Sequence, residues 1–210
     1  MTSKSKLNSK LENIIFLKEE FEGGLDFNEK LYTDLEIKAR HYLTLLIPTL
    51  TAIIIYIFNN YKNLSDVFIL LNISISINIL LSTIFFAASV NLKNYDSGRV
   101  HPPDWDINNW NDLIENNQNF SQDLLPELAK KRLLAWQKNS KENRNKSQKI
   151  ITGQRIIFLA PLSCFLSGIT FIFLSDISGK TVSIILGLGL AAAVAFLPIF
   201  SFYYHHNSRS

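Results

Sequence analysis

The chain has 210 residues, including 21 Lys and Arg and 18 Asp and Glu, and its mean hydropathy is only slightly positive at +0.11. This average conceals a segregated pattern, because residues 42–58, 67–92, 156–175 and 181–204 contain no Asp, Glu, Lys or Arg. About 18 to 20 apolar residues cross a hydrocarbon core of about 30 Å. The composition therefore excludes a soluble globular domain and predicts a membrane protein with four spans.

The cysteine content, the first 40 residues and the basic residues limit the functions that the chain could have. Cys164 is the single cysteine, so the chain has no pair for an internal disulfide or a zinc knuckle. The first 40 residues contain only short apolar clusters broken by charge, and we expect no cleavable signal peptide. Basic residues in a membrane protein are more typical of topology and lipid contact than of nucleic-acid binding. We therefore expect the lipid bilayer as a partner and no nucleic acid.

Two helices are predicted before span one. A short amphipathic helix is expected to end at Gly23 and Gly24, and a second helix, capped by Asp26 or Asn28, runs directly into the span. Apolar residues recur at helical spacing in both, namely Leu7, Leu11, Ile14 and Phe21 in the first and Leu31, Leu35, Ala39 and Tyr42 in the second.

Span two is the most polar of the four. A strand would leave backbone groups unpaired in lipid, so this segment is predicted as a helix. Its polar residues form two stripes, the first of Asn72, Ser76 and Thr83 and the second of Ser74, Asn78, Ser82 and Ser89. Asn72, Ser76, Asn78, Ser82 and Thr83 are the candidate functional residues. They either pack against other helices or line a wet pore.

Residues 94–119 are predicted as a loop, because Gly98, Pro102 and Pro103 interrupt the periodicity. Trp105 and Trp110 either anchor this loop at the level of the lipid headgroups or pack on the neighbouring helices.

A long helix is predicted to lead into span three, because an apolar stripe begins near Ser121 or Pro126 and the helical segment continues to the span. Residues 138–155 of this helix are the most basic part of the chain. The basic residues of this stretch are Lys138, Lys141, Arg144, Lys146, Lys149 and Arg155. The first five are the candidates for contact with either anionic lipid headgroups or a phosphorylated ligand. No glycine-rich phosphate loop accompanies them.

Span four has small residues at every fourth position, which are Gly187, Ala191 and Ala195. This spacing lets helix backbones approach closely and predicts helix packing, either within one chain or between chains.

The distribution of basic residues predicts the topology. The tails and the central segment contain 19 Lys and Arg, whereas the two short connections between spans contain 2. Because Lys and Arg near span ends favour the cytoplasmic side, both termini and the central segment are predicted to be cytoplasmic. The fold class is thus an all-α membrane protein with four transmembrane helices in two hairpins, and with cytoplasmic helical extensions before spans one and three. Its segments are an N-terminal helical segment 1–41, a hairpin 42–92, a cytoplasmic loop and basic helix 93–155, a hairpin 156–204 and a tail 205–210.

Catalytic chemistry is not indicated. The four runs carry no Asp, Glu, Lys or Arg, which argues against proton-coupled transport, metal-dependent intramembrane enzymes and voltage sensing. His41, His205 and His206 lie at span edges and are not spaced to bind one metal from a helix. We therefore expect neither an enzyme nor a metal or cofactor.

Three short motifs resemble small multi-pass membrane effectors of bacterial anti-phage defence, the SLATT-like group and the transmembrane effectors of Pycsar and CBASS systems. The motifs are Leu-Glu-Ile-Lys-Ala at 35–39, Gly-Arg-Val-His-Pro-Pro-Asp-Trp at 98–105, and Leu-Leu-Ala-Trp-Gln-Lys-Asn at 133–139 with Asn143 and Asn145. The resemblance implies an inner-membrane protein that forms homo-oligomers and permeabilises the membrane once infection is sensed, often through a cyclic nucleotide. The chain has no separate nucleotide-binding domain, so sensing would reside in a partner protein.

A second function remains open from the residues themselves. The polar stripes of span two also suit a constitutive small channel or a transporter subunit, although the spans lack the charge that transporters usually carry.

Overall fold

The computed structural model describes residues 3–90 and 125–207. The elements in these ranges are four α-helices, which are α1 (Ser3–Asn60), α2 (Asp66–Val90), α3 (Leu125–Ser178) and α4 (Lys180–Asn207). Each contains a segment long and apolar enough to cross a membrane. The prediction of an all-helical chain with four such helices is confirmed for these ranges, which contain no sheet. These helices suggest a multi-pass membrane protein.

Several sequence predictions concern residues outside the described ranges. They are the loop at 94–119, with Trp105 and Trp110, the motif at 98–105, and the last residues of the tail.

The break predicted at Gly23 and Gly24 is wrong, because α1 continues through both residues to Asn60. A glycine within a helix costs only about 1 kcal/mol relative to alanine, which flanking residues and packing readily offset. Gly24 has a packing role, since a Cβ atom there would lie 2.8 Å from the indole of Trp136. Asp26 and Asn28 therefore lie inside a helix and do not cap one.

The long helix predicted to enter span three is confirmed, because α3 runs without interruption from Leu125 to Ser178. Gly153, the only glycine between Leu125 and Arg155, lies inside the helix. A Cβ atom at this position would lie 3.0 Å from Cζ of Phe86 on α2, so the glycine lets an aromatic ring pack against the helix backbone.

The chain divides into two compact units. Unit 1 comprises Met1–Asp34 and Lys93–Arg144, and unit 2 comprises Leu35–Leu92 and Asn145–Ser210. In unit 1 the first part of α3 packs beside α1. Glu22 forms an ion pair with Arg132, and further along both helices the Asn28 amide donates to Ser140 Oγ over 3.1 Å. The two helices therefore run parallel in this unit.

Unit 2 has a core of Ala39, Phe86 and Ile150, contributed by α1, α2 and α3. The rings of Tyr42 and Phe86 stack with their centroids 4.5 Å apart. The Gln154 amide donates to the Tyr42 hydroxyl over 2.7 Å, which ties α3 to α1. These contacts lie near residues 42 and 156, at which the charge-free runs of α1 and α3 begin.

The two short connections lie together at one end of unit 2. Residues 61–65 connect α1 to α2, and Gly179 alone separates α3 from α4. Gly179 has a φ of +81°, a left-handed conformation that a glycine adopts without the Cβ clash of other residues. Lys180 Nζ lies 3.1 Å from the Asp66 carboxylate, so the start of α4 adjoins the start of α2.

Candidate functional site

One polar face of α2 is completely buried in unit 2. Ser74, Asn78, Ser82 and Ser89, which we name the inner stripe, each have 0% exposure. Ser82 donates to the Gly153 carbonyl on α3 over 3.0 Å. Buried hydroxyls in apolar surroundings need such partners, because an unpaired polar group there is costly. In this structure the inner stripe thus lies in the packed interior of unit 2.

A hydroxyl pair connects three helices through the inner stripe. Ser74 Oγ lies 2.9 Å from Ser167 Oγ on α3, and Ser167 donates to the Gly187 carbonyl on α4 over 2.9 Å. Ser74 is also 2.9 Å from the Leu70 carbonyl in its own helix. Two hydroxyl groups have only two protons for these three contacts. At any moment one contact therefore lacks its proton, and the pair can exchange between arrangements.

The predicted small-residue face of α4 is packed within the chain. Ala191 and Ala195 are fully buried. A Cβ atom at Gly187 would lie 3.1 Å from the Ser167 carbonyl oxygen and 3.3 Å from Leu70 Cδ2, so a larger residue requires its neighbours on α3 and α2 to move by a few tenths of an ångström. Close approach at Gly187 also positions its carbonyl to accept from Ser167.

The second polar face of α2 has different surroundings. Asn72, Ser76 and Thr83, which we name the outer stripe, are half-buried. Asn72 donates to the Phe68 carbonyl over 2.8 Å and Thr83 to the Ile79 carbonyl over 2.8 Å, both within α2. Ser76 Oγ is buried and has no hydrogen-bond partner in the described residues. The outer stripe makes no bond to another helix among those residues.

A second buried polar atom also lacks a partner in the described ranges. Asn78 Nδ2 donates to the Ser74 carbonyl over 2.9 Å, whereas Asn78 Oδ1 has no donor there. A buried amide oxygen and a buried hydroxyl without partners are unfavourable in an apolar environment. Both atoms are enclosed by the chain itself, so a water molecule inside unit 2 is the donor that could reach them without a rearrangement of the helices.

The predicted basic residues have unequal surroundings. Lys138, Lys141 and Arg144 of unit 1 are exposed. In unit 2, Lys149 is half-buried and its ammonium donates to the Ala88 carbonyl over 3.3 Å, at the end of α2. Lys146 differs from the other four.

Lys146 is fully buried, and its Nζ lies 3.7 Å from the Glu36 carboxylate. Glu36 also accepts a hydrogen bond from Arg40 Nε over 3.2 Å, so one carboxylate serves two cations. Burial of a charge is costly unless it is paired. In this arrangement Lys146 contributes to the packing of α3 against α1 and is not presented at the protein surface.

Sequence reasoning did not identify Glu36, Tyr42 or Gln154 as polar contacts of the interior. Their partners lie on a different helix, and the helical period of one segment contains no information about the register of another. The only available signal was that Glu36 precedes a charge-free run by six residues and Lys146 precedes another by ten.

A surface groove lies between α3 and α4 in unit 2, with a cavity volume of about 570 Å³. It is lined mainly by apolar side chains, with one charged and one amide side chain, and the lining residues are Ile151, Gln154, Arg155, Phe158, Leu159, Leu197 and Pro198. This volume is within the range of small-molecule sites, about 300 to 1,000 Å³.

Metal chemistry has no candidate group in the described part of the chain, where no three His, Cys, Asp or Glu side chains are placed to hold an ion. Cys164 is a free thiol, and its Sγ lies 3.7 Å from the Leu71 carbonyl on α2.

No protein-family model, no curated protein and no solved structure matches this chain. The resemblance to defence effectors in the three short motifs therefore remains a prediction from the residues.

Proposed function

We propose that this chain is a bacterial inner-membrane effector of anti-phage defence, which assembles into homo-oligomers and permeabilises the membrane. The observation that carries the assembly step is the outer stripe of α2. Asn72 and Thr83 are half-buried in the single chain, and their hydrogen bonds stay within α2. Polar groups in such a segment gain stability from a partner on another helix or from water. A second copy of the chain would supply such a partner to the exposed parts of Asn72 and Thr83.

The first span leaves a further surface for assembly. None of the 18 most apolar consecutive residues of α1 is buried, whereas 33% of the corresponding residues of α4 are buried. Leu45, Ile54 and Phe58 of α1 are more than half exposed. In an oligomer this helix contacts either lipid or the neighbouring chain.

The proposed topology has both termini and the central segment in the cytoplasm, with four transmembrane helices in two hairpins. The excess of basic residues in those segments supports it. The ion pair of Asp66 with Lys180 also supports it, since it joins the two connections that are poor in basic residues. Reporter fusions after Lys62 and Gly179 should read as periplasmic, and fusions at Ser140 and Ser210 as cytoplasmic. A cytoplasmic reading at Lys62 would overturn the four-span arrangement.

The test of function is inducible expression in a bacterial host, with a membrane-potential dye recorded before and after phage challenge. We expect depolarisation and growth arrest with the native chain. Asn72→Leu should reduce both, because it removes a partly exposed amide of the outer stripe and changes the outer surface of α2. Thr170→Leu is the matched control, since Thr170 is a half-buried polar residue of α3 that bonds only to its own helix.

Normal potential and growth at high expression, with and without phage, would contradict the effector role. Selective flux of one solute through liposomes containing the protein, with no toxicity in cells, would instead favour the constitutive channel or transporter subunit.

A further inference from the structure

The groove between α3 and α4 combines an apolar wall with a single cation. Phe158 and Leu159 of α3 and Leu197 and Pro198 of α4 form the apolar wall. All four belong to the charge-free runs, whereas Arg155 immediately precedes the run that begins at residue 156. The apolar part of the groove therefore lies along the segments that cross the membrane, and the cation lies where the charge-free run begins.

Arg155 is available to a ligand. Its side chain is exposed, and in the described residues no hydrogen bond or ion pair involves it. The basic residues that precede it in unit 2 are engaged, Lys146 with Glu36 and Lys149 with the Ala88 carbonyl. A guanidinium group binds phosphate oxygens through two parallel hydrogen bonds. Arg155 is thus the cation of the groove, and the internal contacts of unit 2 leave it free to bind a phosphate.

The helical period places Arg155 on the same face of α3 as part of the apolar wall. Leu159 lies four residues beyond Arg155, which corresponds to an axial rise of about 6 Å on the same face. Phe158 is 86% exposed and Leu197 is 58% exposed, so the wall presents apolar surface that no other part of the described chain covers. A long arginine side chain at such a boundary extends its charge towards the headgroups while its stem lies on apolar surface.

The geometry points to a binding site for one anionic phospholipid, with its phosphate on Arg155 and one acyl chain along Phe158, Leu159 and Leu197. This inference depends on the membrane placement of the helices and is independent of the role in defence. Free phosphate would use only Arg155, and a single exposed ion pair is weak. A phospholipid uses the charge and the apolar wall together, and both features of the groove are then explained.

The experiment uses the full chain in a neutral detergent and titrates phosphatidylglycerol, with native mass spectrometry to count bound lipids and the melting temperature as a second measurement. We expect saturable binding of one lipid with a rise in melting temperature. Arg155→Gln should weaken the apparent affinity at least tenfold, and Arg155→Lys should weaken it by a smaller factor, because lysine keeps the charge and loses the two-bond geometry.

Lys38→Gln is the matched control, because Lys38 is another exposed basic residue of unit 2 and lies outside the groove. It should bind the lipid as the native chain does. Phe158→Ala removes apolar wall at an exposed position and should weaken binding several-fold without lowering the melting temperature of the lipid-free protein. It remains informative if Arg155→Gln does not fold.

Three results would overturn the site. They are unchanged binding by a folded Arg155→Gln or Phe158→Ala variant, equal affinity for phosphatidylcholine with the same acyl chains, and equal stabilisation by soluble glycerol phosphate. The second result would assign the groove to nonspecific apolar contact, and the third would assign it to a free phosphate.

Discussion

The inner and outer stripes of α2 have similar composition and opposite surroundings. Both consist of Ser, Thr and Asn in one charge-free segment, yet Ser74 and Ser82 of the inner stripe reach α3, whereas Asn72 and Thr83 bond only within α2. Polar residues in a span are therefore not one class. Some hold the chain together, and others remain available to a partner or to water.

This contrast changes the interpretation of a polar span. A pore lined by the inner stripe would require unit 2 to separate at the contacts with Ser167, Gly153 and Gly187. Assembly through the outer stripe requires no such separation. The proposed oligomer is therefore compatible with the packed interior of each chain.

The largest expected effect on stability concerns a buried ion pair and not the hydroxyl groups of the two stripes. Glu36→Gln removes the carboxylate beside Lys146, whose side chain is fully buried. Removal of one partner of a buried pair costs about 3 to 5 kcal/mol, and we expect about 3 because Glu36 is 24% exposed. The free energy of unfolding, measured in mixed micelles with increasing denaturing detergent, checks this value.

The control for Glu36 is Asp176→Asn, an exposed acid of unit 2. It should change the free energy of unfolding by less than about 0.5 kcal/mol, as is usual for surface substitutions. Equal stability of the two variants would mean that the buried pair does not stabilise unit 2.

The next effect tests the close approach that supports the inner stripe. Gly187→Val places a Cβ atom 3.1 Å from the Ser167 carbonyl oxygen, and overpacking of this kind costs about 1 to 3 kcal/mol. Gly189→Val is the matched control, because a Cβ atom at Gly189 meets nothing within 4 Å. The melting temperatures of the two purified variants should differ clearly, and a Gly187→Val variant as stable as Gly189→Val would contradict the packing of α4.

A smaller effect is expected from the hydroxyl pair. Ser74→Ala, Ser167→Ala and the double variant form a cycle, and the coupling free energy should be about 0.6 kcal/mol, the average for hydrogen bonds between membrane helices. Because the two hydroxyls share two protons among three contacts, we do not expect a larger value. A coupling of zero would mean that the two residues act independently.

The smallest effect on stability, and the sharpest contrast, is expected from the outer stripe. Asn72→Leu with Thr83→Val should change the free energy of unfolding of one chain by less than about 0.5 kcal/mol, because both residues bond only within α2. The same variant should lose the oligomer in chemical cross-linking of native membranes. An intact oligomer in this variant would exclude the outer stripe as the assembly surface.

The sequence predicts the helical part of this protein well. A run of 17 or more uncharged residues that crosses lipid must form hydrogen bonds among its own backbone N–H and C=O groups. Only helices or closed barrels do so. The unbroken course of α3 into the third run follows from the same pattern. Gly23 and Gly24 show the limit of reasoning from local sequence. A glycine pair predicts the end of a helix, whereas Gly24 lies inside α1 and leaves room for the ring of Trp136.

The candidate site was predictable only as a set of residue types. The helical period separates the two stripes of α2, but it does not say which stripe meets α3. That choice depends on Ser167, which is 93 residues from Ser74, and on the small residue at Gly187. Lys146 is a similar case. A lysine in a basic run is predicted to be exposed, whereas the structure buries Lys146 beside Glu36 of another helix.

The sequence by itself determined the number, length and helical character of the apolar segments, because segregation of charge from apolar residues is a property of the chain and needs no partner. The tertiary structure alone decided which polar atoms are paired, which remain without a partner in the described residues, and that Arg155 lies beside an apolar groove. Those outcomes depend on the register between helices, and register is set by contacts between residues far apart in the chain.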